Sequence, residues 1–436
     1  MWAEESVMYQ IYPLGMCGAP YDNDGVLTHR ILRVLDWIPH LKRLGVTCVM
    51  FNPLFESDTH GYNTRDYRKT DVRLGTNEDL KNVCDALHAA GIRVLFDGVF
   101  NHAGRGFGPF RDVQEKKWDS PYRYWFNVNF DGNSPYGDGF WYEGWEGNYD
   151  LVKLNLDHPE VRSYLLDSVG MWIDEFGIDG LRLDVAYMVN RDFLKALRRY
   201  VDAKKPEFYL IGEILGGDYR QIVNDEMCES ATNYECAKGL WSSFNSMNMF
   251  EINHSLMRQF GPETWCPYTG MHFLSFVDNH DVTRAASILQ NPRHLPLLYA
   301  VMYGMPGYPC LYYGSEWGIR GHKKDGDPAL RPEVTAPQWN ELTDWIARLG
   351  AAKKGSEALC YGGFRSVVLT TKQCIFERRS EHERVLVAVN ADAAEYTAHF
   401  DAGCGRAVDL ITGAEHDFGG GSHLPGYSAY FWKCER

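Results

Sequence analysis

The chain has 436 residues, 45% of them apolar and 23% charged, with a net charge of −14. That length and balance fit one to three ordinary globular domains. The surplus negative charge repels a polyanion and no basic run compensates, so nucleic acid is excluded as a partner and a neutral substrate fits better.

No 18-residue apolar stretch offers a membrane span. The first residues, MWAEESVMYQIYP, lack the basic start, apolar run and small-residue cleavage site of a secretory leader. Eleven Cys are scattered without CxxC spacing, which argues against a disulfide framework or zinc site and for a reducing cytoplasm. Cys48 and Cys310 lie inside apolar runs and are expected as small buried hydrophobes.

In chain order, short β-rich runs fall at 7–12, 46–51, 93–99, 180–185, 208–214, a weak one at 231–234, then 273–277 and 310–313. Amphipathic stretches at 31–44, 77–90, 160–176, 191–203 and 293–305 lie between them. Ile31, Leu35, Ile38 and Leu41 step by four, three and three, which keeps them near one helical face. Repeated strand–helix alternation predicts an α/β fold, a (β/α)8 TIM barrel. The alternative is an open doubly wound sheet, but no GxGxxG loop follows the first strand. Residues 102–154 are rich in Gly, Pro, Asn and aromatics and have little periodicity. Their length predicts an inserted subdomain forming one wall of a cleft. The aromatic cluster at 122–149 has two readings, core packing or a sugar-stacking surface. From about residue 355, short alternating runs at 366–370, 374–378, 385–389, 396–400 and 427–432 predict a C-terminal antiparallel β-sandwich. The expected boundaries are 1–101 and 155–354 for the barrel, 102–154 for the insert and 355–436 for the sandwich.

Three acids stand where β-rich runs stop: Asp184 in GIDGLRLDVA, Glu213 in FYLIGEI and Asp281 in FLSFVDNHD. A fourth polar motif, FDGVFNH, precedes them. Each has an ordinary explanation: a strand-end Arg–Asp pair, a solvated Glu, a helix cap. One site at the carboxyl ends of barrel strands explains all of them jointly, and an Asp/Glu pair there is equipment for breaking a glycosidic bond. Arg182 shares a strand face with Asp184 and is expected to keep it ionised, as a nucleophile must be. Glu213 follows the apolar YLIG, surroundings that favour a proton-donating carboxyl.

These motifs, in this order, resemble those of glycoside hydrolase family 13, the α-amylase superfamily. DGVFNH, GLRLDVA, GEI and FVDNHD resemble its four ordered motifs, and HGYNTRDY, KLN and GYPCLYYGSE add to the likeness across essentially the whole chain. The resemblance implies Asp184 as nucleophile, Glu213 as acid and then base, and Asp281 as transition-state stabiliser. It implies Arg182, His102 and His280 at the substrate, Tyr62 stacked under the sugar, Asp327 and Arg331 gripping the next sugar outward, and Asp97 as structural support beside Asn101. The implied mechanism is retaining double displacement.

The residues after Asp184 are Val185, Ala186, Tyr187 and Met188, not the Lys-His of secreted α-amylases. The calcium-linked His is therefore missing, and Asn101 alone does not make a cation site. No cofactor and no metal are expected. LVKLN and the DVA after Leu183 resemble the neopullulanase, cyclomaltodextrinase and maltogenic amylase group. The chain starts near the first barrel strand, so that group's N-terminal domain and its dimer mode are not expected; the oligomeric state stays open. The resemblance implies hydrolysis of α-1,4-glucosidic bonds in malto-oligosaccharides and cyclodextrins to glucose and maltose, with an α-1,6 side activity. Two alternatives are a 4-α-glucanotransferase and a non-catalytic barrel used as a binding subunit.

Overall fold

The computed structural model describes residues 2–435. Eight parallel strands form one sheet: β1 (Met8–Ile11), β2 (Cys48–Phe51), β3 (Arg93–Gly98), β4 (Gly180–Leu183), β5 (Tyr209–Gly212), β6 (Ser230–Ala231), β7 (Leu274–Ser275) and β8 (Tyr308–Tyr312). Their order is β6-β5-β4-β3-β2-β1-β8-β7. A parallel bridge between Thr232 and Leu274 joins the two outer strands and closes the barrel. The expected TIM barrel is the observed fold.

Alternation along the strands sorts the side chains. Met8, Cys48, Met50, Leu95, Ile211 and Cys310 pack inside the barrel. Their neighbours Tyr9, Val49, Phe51, Val94, Phe96 and Leu210 pack outward under the helices. In four of these columns the side chain two residues further along is polar: Gln10 after Met8, Asn52 after Met50, Asp97 after Leu95, Glu213 after Ile211. The barrel interior is thus apolar at its N-terminal end and polar at its C-terminal end.

Local chemistry explains where elements depart from expectation. The stretch expected as one helix at 31–44 is a 3-10 helix, Arg30–Trp37, followed by an α-helix, Ile38–Leu44. Pro39 has no N–H to extend an α-helical ladder backward but suits a helix start. The weak strand expected at 231–234 ends at Ala231, because the Asn233 side chain accepts from Cys236 N–H (3.1 Å) and caps a helix, Tyr234–Ser246. Helices Phe250–Phe260 and Glu341–Lys354 were also not anticipated. No helix among the described residues is long and apolar enough to cross a membrane.

Residues 102–154 fold as a three-stranded antiparallel sheet, a two-stranded ribbon and a helix, Gly108–Lys116. At the C-terminal end of the chain a six-stranded antiparallel sheet faces a two-stranded ribbon. Ile375, Leu386, Ala398, Leu424 and Trp432 form the core between them.

Candidate active site

Asp184 and Glu213 are placed by backbone continuation of the barrel ladder. Asp184 N–H donates to Gly98 O (3.1 Å) and Glu213 N–H to Leu183 O (2.9 Å). Asp281 lies in the turn after β7, where its N–H donates to Asn279 Oδ1 (2.8 Å). All three carboxyls line one cleft of ≈ 540 Å3 at the C-terminal ends of the strands.

Arg182 lies behind this lining. Its Nη1 donates to Asp97 Oδ1 and Oδ2 (2.8 and 2.9 Å) and to Asp184 Oδ1 (2.9 Å). Its Nη2 pairs with Glu213 Oε1 (2.6 Å). One guanidinium therefore serves three buried carboxyls. Burial raises the Asp184 carboxyl well above its usual range, Arg182 opposes it, and Glu213 and Asp97 add to the rise. Arg182 favours the ionised form of Asp184, but its single charge is shared among three carboxyls. Glu213 is not in the apolar niche its sequence neighbours suggested: Val185 N–H donates to its Oε2 (2.9 Å). Val185 has φ +39, a left-handed conformation that is unfavourable for a β-branched residue and costs on the order of 1–3 kcal/mol.

Asp281 behaves oppositely. Burial would raise its carboxyl, but His280, Arg331 and Arg182 outweigh this and hold it well below the usual range. Its side chain is 37% exposed toward the cleft. His280 Nε2 is 2.9 Å from Asp281 Oδ2 and 2.6 Å from Tyr62 OH. Amide groups of Gln10 (3.0 Å) and Asn52 (3.4 Å) donate to His280 Nδ1, which puts its proton on Nε2. The Tyr62 ring lies parallel to His280 with centroids 5.6 Å apart, and its OH donates to Asp97 Oδ2 (2.9 Å).

His102 carries an open donor. Burial, with His60 adding, pushes its imidazole down to about 3, so the ring is neutral. The Asn101 amide lies 3.2 Å from Nδ1, leaving the proton on Nε2. That buried Nε2 has no hydrogen-bond partner and stands 3.9 Å from Asp184 Oδ2. Arg331 Nη2 pairs with Asp281 Oδ1 (2.9 Å) and Asp327 Oδ2 (3.2 Å).

Of the anticipated residues, Asp184, Glu213, Asp281, Tyr62, His102, Asp327 and Arg331 line the cleft. Arg182, His280, Asp97 and Asn101 form the layer behind it. Sequence reasoning missed Gln10, Asn52, Tyr187 and Tyr234. Gln10 breaks an apolar strand and Asn52 directly follows one, which is a readable signal; the two tyrosines give none. The insert contributes Trp145, Asn148, Asp150 and Leu151 to the lining, whereas Trp141 turns to Tyr149 OH (3.1 Å). Among the described residues no group of three or more His, Cys, Asp or Glu converges as a metal site.

The chain resembles several known proteins in sequence and fold. The chain is 30% identical over 427 residues to a cyclomaltodextrinase of Bacillus sp, covering 91% of this chain and 74% of the relative. It is 31% identical over 458 residues to neopullulanase 2 of Thermoactinomyces vulgaris, covering 95% and 74%. The ligand-free structure of a cyclic α-maltosyl-(1→6)-maltose hydrolase from Arthrobacter globiformis matches with TM-score 0.82 at 26% identity over 100% of both chains. The family described as alpha amylase, catalytic domain, matches residues 10–355, and the chain belongs to it.

Proposed function

We propose that this protein is a retaining glycoside hydrolase of α-1,4-linked malto-oligosaccharides and cyclodextrins, releasing glucose and maltose, with an α-1,6 side activity. The observation that carries this is one cleft edged by three carboxyls, two of them joined through Arg182. Asp184 stands ready as the nucleophile and Glu213 as the proton donor of an acid-assisted first step.

Glu213 delivers a proton to the glycosidic oxygen while Asp184 Oδ attacks the anomeric carbon and the leaving sugar departs. Glu213, now a carboxylate, takes a proton from water, which displaces Asp184 and restores both groups. Asp281, held ionised, faces the positive charge that develops at the ring. His102 Nε2–H donates to a sugar hydroxyl, Tyr62 packs against that sugar's face, and Asp327 and Arg331 meet the next one. Arg182 and His280 act as positioning residues through the carboxyls they touch, and Asp97 and Asn101 support them. Two carboxyls complete the chemistry, so no cofactor or metal is required. The binding-subunit alternative has no use for three converging acids.

The domain limits proposed are those expected from the sequence: barrel 1–101 and 155–354, insert 102–154, C-terminal domain 355–436. The cytoplasm is the proposed compartment, supported by eleven free cysteines. The test is proton NMR of the first products from maltotriose. Sugar released as the α-anomer is expected, and initial release of the β-anomer sinks the retaining mechanism. A substrate panel completes it: maltotriose and β-cyclodextrin should be consumed faster than starch.

A further inference from the structure

Of the eleven cysteines, all free, nine are buried; Cys404 and Cys434 alone are partly exposed. These two stand side by side. Their thiols share a side-chain hydrogen bond, and both pack against the apolar core of the C-terminal domain.

Backbone pairing holds one of them in place. Cys434 ends the last strand, Ser428–Cys434, and lies opposite Ala407 of the strand Arg406–Asp409. Glu435 N–H donates to Arg406 O (3.0 Å), which carries that pairing one residue further. Cys404 sits in the turn that leads into Arg406–Asp409, between Gly403 and Gly405. Gly403 has φ +64, and two flanking glycines give the turn wide backbone freedom. An anchored thiol thus meets one on a pliable segment, which lets the pair reach the narrow geometry of an S–S bond.

The pair is open to a dissolved reagent and lies beside a cation. Cys434 and Gly403 line a surface hollow of ≈ 800 Å3, together with Arg384 and Lys433. Burial and the adjacent Cys404 raise the Cys434 thiol, Glu377 adds to the rise and Arg384 opposes it. A cation at this place favours the thiolate, the form that attacks a disulfide.

We propose that Cys404 and Cys434 are a reversible disulfide site, closed by a small-molecule disulfide and reopened by a small thiol. One cysteine loses its proton, attacks a sulfur of the dissolved disulfide, breaks its S–S bond and expels one thiolate. The second cysteine loses its proton, attacks the protein sulfur of the mixed disulfide and expels the other thiolate. The two protons pass to the two expelled thiolates, so the small molecule leaves as two thiols while the protein gains one S–S bond. In a reducing compartment the pair rests as thiols, as it does in this structure. Closing it encloses residues 405–433 in a covalent loop and restricts the unfolded C-terminal domain.

The test treats the folded wild type with oxidised glutathione, removes the excess, alkylates the free thiols during unfolding and counts them by mass. The count should fall from eleven to nine, the two of the pair being lost. The intact mass should drop by two hydrogens, and one cross-linked peptide pair should join Cys404 to Cys434. Dithiothreitol should restore all eleven, and the oxidised protein should melt above the reduced one. Cys404→Ser should instead take up one glutathione and show no such rise in Tm. The proposal is overturned by eleven thiols remaining in the wild type, by glutathione retained on one cysteine while the other stays free, or by a cross-link elsewhere. The thiol count uses the wild type alone, so it decides the matter even where Cys404→Ser fails to fold.

Discussion

The two ends of the barrel carry opposite charge imbalances. At the C-terminal ends of the strands, Arg182 serves Asp97, Asp184 and Glu213, one cation among three carboxyls. Below the N-terminal end of β8, two buried cations donate to backbone carbonyls instead. Lys353 Nζ donates to Gly307 O (2.8 Å) and also to Leu359 O. Arg378 donates to Gly304 O (2.8 Å) and Gly362 O (2.7 Å), tying the C-terminal sheet to the barrel. Carbonyl dipoles solvate a cation but do not neutralise it. Burial, then Arg378, pulls Lys353 down to about 7. The difference teaches that buried charge has two uses here. At the top, three carboxyls share one cation beside the cleft; at the bottom, hydrogen-bond donors staple two domains at an electrostatic cost.

The sharpest way to break the comparison is Asp184→Asn. The amide keeps the size and can still accept from Arg182, but it cannot attack carbon. Activity on maltotriose should fall by about 10^4-fold or more. The folded protein should melt no lower than wild type, since one carboxyl has left an overfilled cluster. A clear drop in Tm shows that the top cluster was balanced after all.

Arg182→Met asks the converse question. It leaves Asp97, Asp184 and Glu213 without the cation they share, and removing one partner of a buried charge network costs about 3–5 kcal/mol. Urea unfolding should show a loss of that order, together with loss of activity. Stability close to wild type means that water reaches the cluster and screens it.

The two ends were not equally legible in the sequence. Asp184, Glu213 and Asp281 stand out because each interrupts an apolar run, and period-two alternation carries that polarity inward. Tyr234 touches Glu213 yet gives no sign, since aromatic residues are frequent throughout. Its helix was missed because Gly, Ser and Asn dilute the apolar spacing in YECAKGLWSSFNS. Lys353 and Arg378 read as solvated charges, one in a Lys-Lys pair at a helix end and one in GluArgArgSer. Their partners are carbonyls brought up by tertiary packing, Gly307 and Leu359 for Lys353 and Gly304 and Gly362 for Arg378. Val185 likewise gives no warning of a positive φ, because the turn is imposed by its neighbours.

Lys353 yields the subtlest prediction. In the unfolded chain its ammonium titrates near 10.5, whereas burial brings it to about 7 in the fold. Between those values the unfolded chain holds a proton that the folded chain does not, so stability rises with pH across the window. Below about 7 both states are charged and the full burial cost remains, on the order of 5 kcal/mol. From pH 7 to pH 9 the wild type should therefore gain about 2–3 kcal/mol from this group alone. Lys353→Met abolishes that gain, whatever it does to absolute stability by leaving two carbonyls unpaired. The measurement is the difference in urea-unfolding free energy between pH 7 and pH 9 for the two proteins. If both show the same slope, Lys353 keeps its proton in the fold. The carbonyl cradle at the barrel's base would then stabilise charge as well as a carboxylate does, and the contrast between the two ends would reduce to geometry.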